Sequence, residues 1–215
     1  MSGSAKINYR NYTKPRSHLM QYEDFLKGVI ANNNLKDIPA IYHHVRKIPY
    51  GSNGNRDPRV VYESNVGSCS GKHILLRDLL RHADHEAEII TMFTYFNEST
   101  PLCESFPSAL KILATKEWVP DFHHYVRVKL RGNWVKLDAT WHDELDSFGF
   151  AVNTKWAGEG DTLLAAVPEQ KYANEERLID FKARLVATLP DDQKALRARY
   201  FELVTKWIAD NALAS

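Results

Sequence analysis

Cysteine is scarce in this 215-residue chain: Cys69 and Cys103 are the whole supply. Two thiols in a chain this long do not make a disulfide framework, which packs several bridges into a smaller domain. The spacings that announce a metal are missing too, with no HExxH and no CxxC. No run of about 18 apolar residues occurs, so no membrane-spanning helix is expected. Met1 is followed by polar residues and not by the apolar stretch of a secretory signal, which makes the cytoplasm the expected location. An excess of one charge is also absent. Lys and Arg number 28 against 27 Asp and Glu, so neither nucleic acid nor an anionic membrane is an expected partner. What is present is ordinary: 44% hydrophobic and 26% charged residues, enough to bury a core.

The length suits one domain with a helical appendage. Residues 1–16 are polar and turn-rich and read as a flexible arm. From Ser17 the spacing of Leu19, Tyr22, Leu26, Val29 and Ile30 predicts a helix with one apolar stripe, ended at Asn32–Asn34. Asp37 opens a shorter helix with Ile41 and Val45 inward. Residues 49–58 form a loop rich in Gly, Asn and Pro. Gly67 and Ser68 read as the entry and cap of a helix that starts at Cys69 and carries the apolar Ile74–Leu80 run. Residues 86–96 read as a strand. The stretch 97–122 is mostly loop, helical near 108–115, and is a candidate lid or substrate wall. Strands follow at 123–130 and 134–140. Residues 141–168 are irregular. The C-terminus is helical, with Leu196, Tyr200, Leu203, Val204, Trp207 and Ile208 on one face and Pro190 at its start. The expected class is α+β with an antiparallel sheet. The expected division is an arm over 1–16, a catalytic core over 17–168 and a helical extension over 169–215.

Cys69 stands where a helix N-terminus is predicted, the setting that lowers a thiol pKa from about 8.5. Gly67 and Gly71 leave room for a substrate, and backbone N–H groups there suit a developing oxyanion. The competing reading is a buried cysteine used as a small hydrophobe. A nucleophilic thiol needs a base, and the base needs an orienting acceptor. Nine histidines are available. Strand alternation sorts them. Val126, Val128 and Leu130 face one way with His124, whereas His123, Tyr125 and Arg127 face the other. On the next strand Val135, Leu137 and Ala139 form the apolar face, leaving Trp134, Lys136 and Asp138 opposite. Matching apolar face to apolar face puts His123 and Asp138 on one side. An Arg131-Gly132 turn would pair Tyr125 with Asp138 and leave His123 diagonal to that carboxylate, at about 7–8 Å. A Gly132-Asn133 turn would part them. His124 is then structural.

Gly67-Ser68-Cys69, then His123-x-Tyr125-Val126-x-Val128, then Trp134-Val135-Lys136-Leu137-Asp138-Ala139-Thr140 resemble the transglutaminase-like superfamily. The resemblance covers about residues 40–145. It implies a papain-like core, the Cys helix packed on an antiparallel sheet, and Cys69 as nucleophile, His123 as acid/base and Asp138 as orienting carboxylate. It implies a peptide or small-molecule amide as substrate and no cofactor. The calcium used by animal transglutaminases has no recognisable loop here. Amide hydrolysis through a thioester is the expected reaction, since it needs only water; amide formation in small-molecule biosynthesis and a non-enzymatic binding module are the alternatives. Oligomeric state is not legible. The chain departs from the family at His82-Ala83-Asp84, where a turn glycine is common, and at Tyr125, where Trp is usual.

Candidate substrate contacts are Tyr125, Trp156 and Lys72, the lysine for an anionic group. Tyr50, Asn53, Asn55 and Asn65 are candidates for a second oxyanion donor. Cys103 reads as an incidental thiol. His123, His124, His142 and Asp143 lack metal-ligand spacing, so no metal site is expected.

Overall fold

The computed structural model describes residues 16–172 and 177–212. The expected arm over 1–16 lies outside the described residues except for Arg16. The elements run α1 (Arg16–Asn32), α2 (Ile38–Arg46), α3 (Pro58–Ser64), α4 (Cys69–His82), β1 (Ala87–Tyr95), α5 (Ser108–Lys116), β2 (Pro120–Leu130), β3 (Asn133–Leu137), β4 (Gln170–Tyr172), α6 (Leu178–Ala187) and α7 (Asp191–Ala212), with 3₁₀ turns at Phe96–Ser99 and Asp143–Phe148. The sheet is antiparallel, in the order β3-β2-β1-β4. This is an α+β fold with the cysteine-bearing helix packed on the sheet.

The apolar patterning places two cores, one on each side of the sheet. On one side Leu75, Leu76, Leu79 and Leu80 of α4 pack against Ile89, Val126, Val128 and Leu137, with Leu26 and Val29 of α1 and Ile41 and Val45 of α2 behind. On the other side Ile90, Met92 and Tyr125 join Trp141, Phe150 and the α7 residues Tyr200, Val204, Trp207 and Ile208. The C-terminal stripe predicted by its spacing is therefore buried. The carbonyl of Pro190 accepts the first bond of α7 from Lys194 N, at 2.9 Å.

Local chemistry sets the boundaries. Asp37 caps α2, its Oδ1 accepting from Ala40 N at 2.8 Å. Helix α3 was not expected, although Asp57-Pro58 is a start signal: Asp57 accepts from Arg59 N at 2.9 Å and Pro58 takes the first turn. Past α4, Asp84 adopts φ of 60°, the left-handed turn that an Asp tolerates in place of glycine. Arg131 and Gly132 carry φ of 51° and 86°, a two-residue hairpin turn. The register follows: Leu130 faces Asn133 and Val126 faces Leu137. The next pair would be Tyr125 and Asp138, as the Arg131-Gly132 alternative required.

Two strand boundaries differ by three residues from the sequence reading. Strand β2 starts at Pro120, not at 123, because proline is tolerated as a strand's first residue and the Asp121 charge is paired. Strand β3 stops at Leu137, three residues before the expected end. Its chain leaves the sheet because side chains satisfy the backbone of residues 138–140. Asp138 N donates to Thr162 Oγ1 at 2.8 Å, Ala139 N to His73 Nε2 at 2.9 Å, and Thr140 N to Asp138 Oδ1 at 3.0 Å. No helix among the described residues is long and apolar enough to cross a membrane.

Candidate active site

Cys69 is the first residue of α4. Ser68 before it has the extended backbone of a cap (φ −72°, ψ 164°), yet its hydroxyl makes no capping bond. The Ser68 Oγ is buried and has no hydrogen-bond partner. Gly67 and Gly71 do not clear space for a substrate, as the sequence suggested. A Cβ on Gly67 would stand 2.7 Å from Lys72 Cγ and 2.8 Å from Val61 Cγ1. One on Gly71 would stand 2.8 Å from Val61 Cγ2 and 3.6 Å from Arg56 Cα. Both glycines let α3 and its approach close onto the first turn of α4.

The ladder between β2 and β3 has ended before it reaches His123 and His124. The thiol comes to this stretch of β2. Cys69 Sγ lies 3.3 Å from His123 Nδ1 and 3.6 Å from the His124 carbonyl oxygen. His123 Nε2 lies 2.7 Å from Asp138 Oδ2. That carboxylate also accepts from Ala165 N at 2.8 Å and Thr140 N at 3.0 Å. All three side chains are buried, and His123 is fully so.

Burial alone would push the Cys69 thiol up. The His123 charge and its hydrogen bond outweigh that and bring the thiol down to about 5. Burial likewise opposes the imidazolium, but the thiolate and the Asp138 carboxylate raise His123 to about 10. Asp138 is held well below the usual carboxylate range, because the His123 charge and hydrogen bonds overcome its desolvation. The three groups thus favour a thiolate–imidazolium pair backed by a carboxylate. Cys103 shows the contrast: its Sγ meets the carbonyls of Pro101 and Phe148, both at 3.6 Å, and burial pushes its pKa up.

The two adjacent histidines have opposite surroundings. His124 Nδ1 lies 3.1 Å from Thr91 Oγ1, its Nε2 is buried without a partner, and burial, Lys182 and His123 hold its pKa well below the ordinary value. His142 accepts from Tyr50 N at 3.2 Å, and Asp143 pairs with Arg46 at 2.5 Å. Among the described residues no group of three or more His, Cys, Asp or Glu is placed to hold a metal ion.

The candidate substrate contacts fall elsewhere. Lys72 is fully buried, and its ammonium donates to the carbonyls of Arg46, Ile48 and Thr140 at 2.9, 2.6 and 2.9 Å. Burial lowers its pKa, but three carbonyl acceptors use all three N–H donors of the charged form. Lys72 is therefore a strut between α2, α4 and residue 140, with no donor left for a substrate. Trp156 packs on Tyr42, ring centroids 5.1 Å apart, and donates to Gly160 O. Tyr125 lies in the core under the sheet. None of the three lines the cavity at Cys69. The same holds for most of residues 97–122, which pack against α7 through Phe106 and Trp207, 4.7 Å between ring centroids.

That cavity measures about 130 Å³ and is walled by Tyr50, Phe96 and Asp121 from the core and by Lys182, Arg197 and Phe201 from α6 and α7. Of the four oxyanion candidates only Tyr50 borders it. A larger cavity, about 650 Å³, lies between α1, α4 and α6 and does not touch the thiol. Its size carries less weight than the chemistry at Cys69.

Two more residues bear on the site: His73, which the sequence reading expected to pack or to meet solvent, and Asp121, which it left in a loop. His73, one turn after Cys69, sits beneath the thiol. A backbone N–H can only donate, so His73 Nε2 accepts from Ala139 and Nδ1 carries the proton, donated to Cys69 O at 2.8 Å. His73 thereby ties the thiol helix to the Asp138 segment. Its spacing of four from Cys69 was the available signal. Asp121, assigned to a loop, stands two residues before His123 on β2, paired with Lys182 and Arg197 at 3.3 and 2.6 Å.

The family model for the transglutaminase-like superfamily matches residues 24–139. The chain belongs to that superfamily, a group of cysteine-dependent hydrolases and transferases. No curated protein matches the chain. Among solved structures, one from Cytophaga hutchinsonii described as a "Putative Cysteine Protease" is similar, with 19% identity and a TM-score of 0.39. The match covers 58% of this chain and 39% of that one, so this chain corresponds to well under half of that protein's length.

Proposed function

We propose that the protein is a thiol-dependent hydrolase that cleaves an amide bond through a thioester on Cys69. The observation that carries this reading is the unbroken line from Cys69 Sγ to His123 Nδ1 at 3.3 Å and from His123 Nε2 to Asp138 Oδ2 at 2.7 Å. The thiolate attacks the carbonyl carbon, and the electron pair moves to oxygen. The Cys69 backbone N–H at the start of α4, aided by the helix dipole, faces that charge. Tyr50, which borders the same cavity, is the candidate for the second donor. As the C–N bond breaks, His123 gives its Nδ1 proton to the leaving amine. Water then attacks the thioester, His123 takes the water's proton, and the acid leaves with the thiolate restored. Asp138 holds the Nε2–H throughout and so fixes the tautomer.

An amine in place of water would give amide transfer with the same residues. The small cavity, about 130 Å³, favours water as the acceptor in the closed arrangement seen here. Intact-mass spectrometry after brief exposure to a pool of amides and esters tests the proposal. The expected result is an acyl adduct on the wild type that decays in water and is absent from Cys69→Ala. An equal adduct on Cys69→Ala, or none with any member of the pool, counts against it.

A further inference from the structure

The walls around Cys69 are unusually cationic for a chain whose overall charge is near zero. Arg56, Lys182 and Arg197 border the thiol cavity, with Asp121 as its one carboxylate. That cavity adjoins a second of about 490 Å³, with which it shares Arg56, Ser70, Lys182 and Arg197. The second cavity adds Lys194 and no acidic residue. Asp121 answers Lys182 and Arg197, and Lys194 is paired with Asp191 at 3.0 Å. Arg56 differs. Its guanidinium donates to the Gly54 carbonyl, at 3.3 Å, and no carboxylate among the described residues pairs with it. Its backbone is pressed against the start of α4 by Gly71, which fixes the side chain's root beside the nucleophile. Ser68 borders the same cavity but keeps its hydroxyl buried, whereas the Arg56 guanidinium is a donor open to a ligand there. An arginine that no carboxylate answers, standing beside a reactive thiol, can turn its fork to an anionic group of a substrate.

Resting on the hydrolase reading above, we propose that the substrate carries a carboxylate beside the bond that Cys69 attacks, and that Arg56 binds it. The guanidinium fork matches a carboxylate through two parallel hydrogen bonds, and Lys182 and Arg197 add their field while remaining anchored to Asp121. A cavity of about 130 Å³ holds a carboxylate and the adjacent carbonyl, not a bulky neutral side chain. The acyl donors this selects are amides of small acids that bear a second, free carboxylate.

Two alkylating agents of nearly equal size test this without knowledge of the natural substrate. Iodoacetate carries a carboxylate; iodoacetamide is its neutral counterpart. The ratio of their second-order rates at Cys69, resolved by peptide mass spectrometry, is compared with the same ratio for glutathione. The expected ratio exceeds that of glutathione by about tenfold, the scale of one charge-assisted hydrogen bond. Arg56→Gln removes most of that excess, and Arg56→Lys, which keeps the charge but not the fork, retains part of it. Glutarate protects Cys69 from iodoacetamide, whereas glutaramide and inorganic phosphate at equal concentration do not. An iodoacetate preference that survives Arg56→Gln, or protection by phosphate equal to that by glutarate, overturns the assignment. Rapid labelling by iodoacetamide at mildly acidic pH with no iodoacetate preference removes the carboxylate site and leaves the hydrolase reading standing. Slow labelling by both agents removes the hydrolase reading itself.

Discussion

Cys69 and His123 derive their chemistry from each other. In the range between about 5 and about 10 the favoured state is thiolate with imidazolium. The proposed hydrolysis needs both, so the rate should rise as Cys69 loses its proton near the lower value and fall as His123 loses its own near the upper. A bell-shaped kcat/KM profile with limbs near those values is the expected outcome once a substrate is in hand; a single limb near pH 8 would contradict it. His73 makes a second prediction at this scale. It is buried and satisfies the N–H of Ala139 and the carbonyl of Cys69. His73→Ala orphans the Ala139 N–H and should cost about 1–3 kcal/mol of stability by urea denaturation. That His123 and Asp138 share a face was legible because alternation on a strand is strict, but the register was not, since it took the positive φ of Arg131 and Gly132 to choose between the two possible turns. Lys72 was misread because a charged residue beside a nucleophile looks like a substrate contact. Three backbone carbonyls converging from distant segments leave no trace in local sequence.

Helix α4 is fixed at its working end by glycine. Gly67→Ala introduces a methyl 2.7 Å from the Lys72 stem and 2.8 Å from Val61. Overpacking of this kind should cost about 1–3 kcal/mol, read as a lower urea midpoint at unchanged slope. It should also slow alkylation of Cys69, since the first turn of α4 must shift. The strands teach a related lesson. Alternation gave the faces of β2 and β3 correctly, but it could not show that β3 leaves the sheet at Leu137. That departure depends on Thr162 and His73, remote in sequence, taking over the backbone bonds of residues 138 and 139. Helix α3 was hidden for a different reason. It has seven residues, too few for a clear periodicity, although Asp57-Pro58 marked its start.

Taken as a whole, the molecule closes its reactive edge with its own C-terminal helices. Asp121 beneath the cavity holds Lys182 of α6 and Arg197 of α7, while Trp207 and Tyr200 seat α7 in the second core. Asp121→Ala leaves two cations unanswered and should cost about 3 kcal/mol, the lower end for a buried pair because Arg197 keeps some exposure. The Asp121 carboxyl is held well below its ordinary range by Lys182 and Arg197 despite burial. Its stabilisation is therefore full above the unfolded carboxylate pKa of about 3.9 and declines only as pH falls beneath that. Acid denaturation of the wild type should steepen below about pH 4, and the Asp121→Ala variant should lack that share of the loss. The amphipathic stripe of α7 was legible from spacing, but its position over the thiol was not, because that depends on ion pairs between residues far apart in the chain. The claim at the centre of the account is that the folded chain makes Cys69 a thiolate. The pH dependence of its alkylation by iodoacetamide, resolved from Cys103 by peptide mass spectrometry, tests it most directly. The account predicts a midpoint near pH 5 for Cys69, displaced upward in His123→Ala, with Cys103 unreactive over the same range. A midpoint for Cys69 at about 8.5, the value of a free thiol, and unmoved by His123→Ala, would contradict it.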